Sequence, residues 1–246
     1  MNERLLIIGA TSAIATAVAR RYAARQAHVG LIGRRAEALD ALAADLRVRG
    51  AAEVETWVLD VNDIAGHTAC LETAWHRFEG FDHALVAHGV LPDQAECQAS
   101  VAPAIASFDT NARSVLALLT DLANRFERQG SGAIGVISSP AGDRGRASNY
   151  VYGCAKAAVT NLASGLRHRL ASKGVRVITI LPGFVDTPMT AEFKKGILWA
   201  QPESVAKDIE RALQSRSGVI YTPWFWSWIM LVIRHIPERL FVRTGL

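Results

Sequence analysis

Tyr152 and Lys156 stand four residues apart in Tyr152-Gly153-Cys154-Ala155-Lys156, inside a stretch of helical period from Tyr150 to Leu170. Positions i and i+4 share one helix face, so the Lys156 ammonium is brought to the base of the Tyr152 phenol. A cation beside a phenol favours phenolate and draws its pKa from about 10 toward working pH, which predicts Tyr152 as a proton donor and acceptor. Tyr150 is a competing phenol, but the residue four beyond it is Cys154, which brings no charge. Thirteen residues before Tyr152 lies Ser139, in Ser138-Ser139-Pro140-Ala141-Gly142.

Something must hold these groups together, and the hydropathy pattern says what. Short apolar runs (Leu5 to Ile8, Val29 to Ile32, Val54 to Leu59, Ala84 to Ala87, Ala133 to Ile137, Val175 to Leu181) alternate with longer stretches of helical period. Continuous apolar strands between helices belong to a parallel sheet covered on both faces, which predicts one α/β domain with a Rossmann-like, doubly wound sheet of about seven strands. Such sheets bind ligands beyond the carboxyl ends of their strands, so the loops after Ile8, Ile32, Leu59, Ala87, Ser138 and Leu181 are the places to seek chemistry.

The first of these loops reads Gly9-Ala10-Thr11-Ser12-Ala13-Ile14-Ala15 and opens a helix. Gly9 allows the tight turn, Thr11 and Ser12 can cap the helix, and the free N–H groups with the helix dipole favour an anion such as a pyrophosphate. The second strand ends in Gly33-Arg34-Arg35. An acidic residue there would accept hydrogen bonds from a ribose, whereas two guanidiniums suit a 2′-phosphate, so NADP(H) is expected over NAD(H).

Composition removes several classes of function. A chain of 246 residues, half of them hydrophobic, buries one sizeable core. Its three scattered cysteines, Cys70, Cys97 and Cys154, form neither a disulfide framework nor a metal knuckle, so no metal and a reducing, cytoplasmic setting are expected. The apolar run near the N-terminus is far too short for a signal peptide. A charge of +4, with basic pairs spread along the chain and no interleaved aromatics, gives no support to nucleic-acid binding.

Taken in order along nearly the whole chain, the glycine turn, Asn111 in Asp109-Thr110-Asn111-Ala112-Arg113, Ser139, Tyr152 and Lys156 resemble the short-chain dehydrogenase/reductase family. The resemblance implies NADP(H)-dependent interconversion of a carbonyl and a secondary alcohol. It also implies that Ser139 binds the substrate oxygen, Tyr152 delivers a proton, Lys156 binds the nicotinamide ribose, and Asn111 kinks a helix and holds a relay water. Asp60, followed by Val61, matches the family aspartate that contacts adenine. In Pro182-Gly183-Phe184-Val185-Asp186-Thr187, Val185 backbone groups and the Thr187 hydroxyl correspond to those that hold the carboxamide, and Thr190 to Ala200 lies where the family has a mobile lid.

The chain departs from the pattern at two loops. Ala13 and Ala15 replace two glycines of the turn, so the loop is expected to shift slightly. Ala87-His88-Gly89 stands where the family has an Asn-Ala-Gly sequence, with His88 in a small residue's place and no chemical role assigned to it.

Residues 1–222 thus read as the catalytic domain, and residues 223–246 as an apolar and basic tail of the same domain. Ten mostly apolar residues as helix reach about 15 Å, half of a bilayer core, so the tail cannot span one. Tryptophans followed by arginines suit a segment at a membrane surface; the alternatives are a homo-oligomer interface or a flap over the substrate pocket. The Ala-His-Gly-Val-Leu turn, Tyr-Val-Tyr-Gly and the Leu-Val-Ile-Arg-His-Ile-Pro tail resemble bacterial reductases of polyprenylphosphoryl keto-pentoses, which complete an epimerisation begun by a flavin oxidase. That likeness implies a lipid-linked keto-sugar, a flavin oxidase partner and work at the inner membrane face. A reductase of small soluble carbonyls and a non-catalytic nucleotide sensor are the other readings.

Overall fold

The structure, a computed structural model, describes residues 2–215 and 218–244. Seven strands form one parallel sheet in the order β3-β2-β1-β4-β5-β6-β7. They are β1 Arg4–Ile8, β2 His28–Gly33, β3 Glu53–Val58, β4 His83–Val86, β5 Gly132–Ile137, β6 Val175–Pro182 and β7 Val219–Thr222. β1 pairs with both β2 and β4, which places the reversal of strand order between β1 and β4, where a doubly wound sheet opens its ligand crevice.

The helices cover both faces. α1 (Ala13–Ala23), α2 (Ala36–Val48) and α8 (Pro202–Gln214) lie on one side, and α3 (Ile64–Phe78), α6 (Ser114–Gln129) and α7 (Tyr150–Leu170) on the other. Leu5 to Ile8 are fully buried and alternate between the two cores: Leu5 and Ile7 face the first, Leu6 and Ile8 the second. This is why the strand reads as an unbroken apolar run, and each such side chain contributes roughly 1.5–3 kcal/mol by leaving water.

The long helical stretch expected from Ile105 to Phe126 is interrupted. After α4 (Gln94–Ala99) and α5 (Val101–Phe108), residues Asp109–Arg113 form a π-turn before α6 begins. Asn111 sits in the middle of this π-turn, the kind of insertion at which helices commonly kink. The tail forms α9 (Trp226–His235) and α10 (Glu238–Phe241), and its residues 245 and 246 lie outside the described residues. Among the described residues no helix is long and apolar enough to cross a membrane, the three cysteines are free, and no cluster of side chains could hold a metal ion.

Candidate active site

The loop after β5 lies directly on α7 because two glycines permit it. A β-carbon at Gly142 would sit 2.6 Å from the Ala157 nitrogen, and one at Gly153 would sit 2.7 Å from the Ala141 carbonyl oxygen. The contact is fixed further by Ser138, buried at the end of β5. Its hydroxyl donates to the Lys156 carbonyl at 2.9 Å and pairs with the Thr160 hydroxyl at 2.7 Å. Ser139 accepts a hydrogen bond from the Ala141 N–H at 3.1 Å, and its hydroxyl acts to lower the Tyr152 phenol's pKa. Lys156 shares the α7 face of Tyr152, with its Nζ 5.5 Å from the centre of the phenol ring. Ser139, Tyr152 and Lys156 are therefore brought together as the sequence predicts.

The electrostatics differ from the expectation. Lys156 was expected to pull the Tyr152 pKa down. Instead, burial dominates and pushes the phenol up to about 12, opposed only by Ser139. Burial likewise pushes Lys156 down to about 8. Lys156 is 3% exposed as a residue, and its ammonium donates one hydrogen bond, 3.0 Å to the Ile137 carbonyl. A lysine has three donors, so two are unspent in a place where water hardly reaches. The i, i+4 spacing fixed where the amine sits, but helix periodicity carries no information about burial, and here desolvation sets the direction of each shift.

Asn111 is fully buried and lies at the π-turn. Its Oδ1 accepts from the Val90 N–H at 2.9 Å, and its Nδ2 donates to the Val90 carbonyl at 2.9 Å and to Ser107 at 3.1 Å. The side chain thus pins the loop after β4. A β-carbon at Gly89 would meet Asn111 Oδ1 at 2.8 Å and Lys156 Nζ at 3.5 Å, so glycine is required where this loop passes the site. Next to it, His88 Nε2 lies 2.8 Å from the Ser114 hydroxyl, which itself donates to the Thr110 carbonyl at 2.8 Å. Ser114 has one proton and gives it to Thr110, so His88 carries its proton on Nε2. Burial, reinforced by the Lys156 charge, holds His88 neutral with its pKa down at about 3.

At the nucleotide end, Gly9 has φ +79°, and a side chain there would strike the His88 backbone. Both facts demand glycine. Ser12 caps α1 by accepting from the Ala15 N–H at 3.2 Å. Ala15 is fully buried in the core beside the sheet, and Ala13 opens α1. Thr11 and Arg35 line one open groove of about 350 Å³ between α1 and α2. Arg34 and Arg35 are exposed, and among the described residues neither forms an ion pair. Asp60 is exposed at the end of β3 and accepts from the Asn62 N–H at 2.9 Å, with Val61 beside it and Ala87 buried at the end of β4.

Pro182 ends β6, and Gly183 just beyond it donates its N–H to the Thr222 carbonyl at 3.0 Å. The Val185 carbonyl accepts from the Thr190 hydroxyl at 2.7 Å, and Thr187 shares a reciprocal cap with Thr190. Both residues that the family likeness assigns to the carboxamide are thus tied to Thr190.

The loop from Asp143 to Asn149 contributes residues that the sequence did not mark. Asp143 accepts from the Tyr221 hydroxyl at 2.8 Å. Arg144 donates to the carbonyls of Ile233 and Ile236, both at 2.6 Å, pairs with Glu238 at 2.8 Å, and lies 3.8 Å over the Phe241 ring. The tail is thereby clamped to the segment that links Ser139 to Tyr152. On the other side, the Trp226 indole covers Gly183 so closely that no side chain would fit there.

These residues fit a nicotinamide nucleotide. The capped α1 terminus and the unpaired guanidiniums suit its phosphates, and the unspent Lys156 donors suit its ribose hydroxyls. The comparisons agree: residues 3–197 match the model of the short chain dehydrogenase family, and the chain belongs to that family. It is an NAD(P)-dependent oxidoreductase acting on CH–OH groups. An uncharacterized oxidoreductase of Mycobacterium tuberculosis is 36% identical over 239 residues, covering 97% of this chain and 96% of the relative. Another, of Streptomyces coelicolor, is 34% identical over 240 residues, covering 97% and 94%. The fold is that of levodione reductase, whose crystal structure superposes with a TM-score of 0.84 at 24% identity over 93% of this chain and 98% of that one. An alcohol dehydrogenase of the archaeon Thermococcus sibiricus, complexed with 5-hydroxy-NADP, gives 0.79 at 21% identity over 89% and 95%.

Proposed function

We propose that the protein is an NADP(H)-dependent oxidoreductase that interconverts a ketone and a secondary alcohol, and that the ketone is a sugar carried on a lipid. The observation that carries the cofactor choice is the pair of unpaired guanidiniums, Arg34 and Arg35, at the end of β2, with Arg35 and Thr11 on the rim of one groove. Two neighbouring cations that, among the described residues, have no acidic partner suit a 2′-phosphate better than a bare ribose. The lipid-linked sugar is supported by the likeness of the Ala-His-Gly-Val-Leu turn and the tail to polyprenylphosphoryl keto-pentose reductases, and by the apolar tail's position against Gly183 and Arg144. By the same likeness a flavin oxidase supplies the ketone and the enzyme works at the inner membrane face.

In the reductive direction a bound nicotinamide supplies the hydride. Ser139 binds the carbonyl oxygen, and the Tyr152 O–H bond breaks as its proton passes to that oxygen. The phenolate left behind faces the Lys156 ammonium, which opposes the cost of a buried charge. With a pKa of about 8, Lys156 keeps most of its charge at neutral pH.

Turnover of NADPH and of NADH, each with free and lipid-linked keto-sugars, tests this reading. NADPH oxidation dependent on the lipid-linked sugar is expected. Equal use of both nucleotides would remove the 2′-phosphate assignment, and turnover of free sugars alone would remove the lipid carrier.

A further inference from the structure

The tail helix α9 has two apolar faces and only one is covered. Trp226 and Met230, one turn apart, are buried against the domain. On the opposite side Trp228 and Val232 are 63% and 66% exposed and Leu231 is about half exposed, while Trp224, in the turn just before the helix, is 71% exposed. A helix with apolar residues on two sides has one face too many for a single domain core. Nor can α9 roll inward to hide its outer face. Trp226 is seated on Gly183, and Arg144 grips the carbonyls of Ile233 and Ile236 at the helix end. Apolar exposure continues into the neighbouring loop. Phe184 stacks on Trp199 at 5.4 Å and meets Trp226 edge-on at 5.1 Å, so the segment before Trp199, with exposed Phe193 and Ile197, adjoins the tail.

The charges around these residues are mainly positive. Arg239 and Arg243, beside exposed Leu240 and Val242, form no ion pair among the described residues, and neither does Lys194. Glu238 is already spent on Arg144 and Lys195 on Asp186, which leaves Glu192 as the free acid of the two segments. Apolar side chains with two tryptophans, flanked by free cations, match the two layers of an anionic lipid surface: acyl chain below, phosphate above. A second copy fits less well, because a two-fold contact would bring the same unpaired arginines together without an anion.

We infer that the outer face of α9, with the loop before Trp199, docks on an anionic membrane surface. Because the inner face of the same helix is fixed to Gly183 and Arg144, docking holds the substrate side of the active site at the lipid. This goes beyond the reductase reading and stands whatever the substrate is. A failed turnover screen leaves it intact, and absence of lipid binding leaves the reductase intact.

The test is sedimentation of the full chain with vesicles of phosphatidylcholine, with and without phosphatidylglycerol, read together with size-exclusion light scattering. The wild type is expected to pellet with the anionic vesicles. Trp224→Ser with Trp228→Ser should lower that partition by about tenfold or more, while Arg239→Gln with Arg243→Gln should remove the preference for phosphatidylglycerol. Wild type remaining in the supernatant, or the tryptophan variant pelleting like wild type, overturns the inference. A change of oligomeric state in that variant with unchanged pelleting assigns the face to a second copy and overturns it as well. Should the variant fail to fold, quenching of wild-type tryptophan emission by bromolipid vesicles gives the answer without substitution, and no quenching rejects the membrane.

Discussion

The nucleotide end and the substrate end of the site are held in place by different kinds of contact. At the nucleotide end the supports are close in sequence: Ser12 caps the nitrogen of Ala15 three residues on, and Asp60 holds the nitrogen of Asn62 two residues on. At the substrate end they come from far along the chain. Arg144 reaches carbonyls 89 and 92 residues away, and Tyr221 reaches Asp143 across 78. The first arrangement makes the adenosine side of the binding site owe little to the C-terminal region, although Trp226 of the tail covers Gly183 on its nicotinamide side. The second makes the wall beside Tyr152 depend on the tail, so damage to the two ends should have separable effects.

The largest separation is expected from Tyr152→Phe. Removing the proton donor should lower turnover by about 10³-fold and leave NADPH affinity within about twofold, as read by steady-state kinetics and nucleotide fluorescence. Loss of binding together with turnover would show that the two ends are not independent. Next comes Arg34→Ala with Arg35→Ala. Losing two charge-assisted contacts should weaken NADPH binding by about fiftyfold while NADH binding changes little. Equal weakening of both would contradict a phosphate grip.

Arg144→Ala should act at the other end. It strands the Ile233 and Ile236 carbonyls and frees the tail, so about 2 kcal/mol of stability and a lower melting temperature are expected, with a raised KM and unchanged NADPH affinity. A fall in nucleotide affinity of similar size would mean that the tail supports the whole site. The smallest effect is in pH. Burial holds Lys156 at about 8 in the folded protein, while the unfolded chain keeps the ordinary lysine value near 10.5. Below pH 8 both states carry the proton and folding bears its burial. From 8 upward the folded state releases it first, so stability should rise with pH up to about 9, beyond which Cys70, raised to about 11 by burial, keeps a proton that the unfolded chain loses and offsets the gain. Above that, Tyr152 and Tyr221, both raised to about 12, keep protons that the unfolded chain loses, and the slope reverses. Urea titrations at several pH values should show the rise in wild type and not in Lys156→Met.

The same contrast explains what could be read from the amino acids alone. The sheet, its helices and the nucleotide turn were legible because period, caps and strand-end residues are local patterns. Tyr152 and Lys156 were legible for the same reason, because helix spacing joins them, whereas Ser139 entered through the family resemblance. Gly142 and Gly153 were visible as residues, but their mutual close approach needs the loop laid on α7. Arg144 carried no signal, since an arginine in a polar loop looks solvated until Ile233, Ile236 and Phe241 arrive beside it. The tail's two-faced character was half visible. Spacing showed many apolar residues, but which of them point inward depends on the space at Gly183.

The central claim is that Tyr152 is the acid of this site and that its proton becomes transferable only when nucleotide occupies the place beside Lys156. Ultraviolet difference titration of wild type against Tyr152→Phe, with and without NADP+, tests it directly. Without nucleotide, Tyr152 should give no tyrosinate signal at about pH 9, as a phenol near 12 requires. With NADP+ bound, the added positive charge should bring a one-tyrosine signal into that range. A Tyr152 that stays protonated at that pH with nucleotide bound would contradict the account.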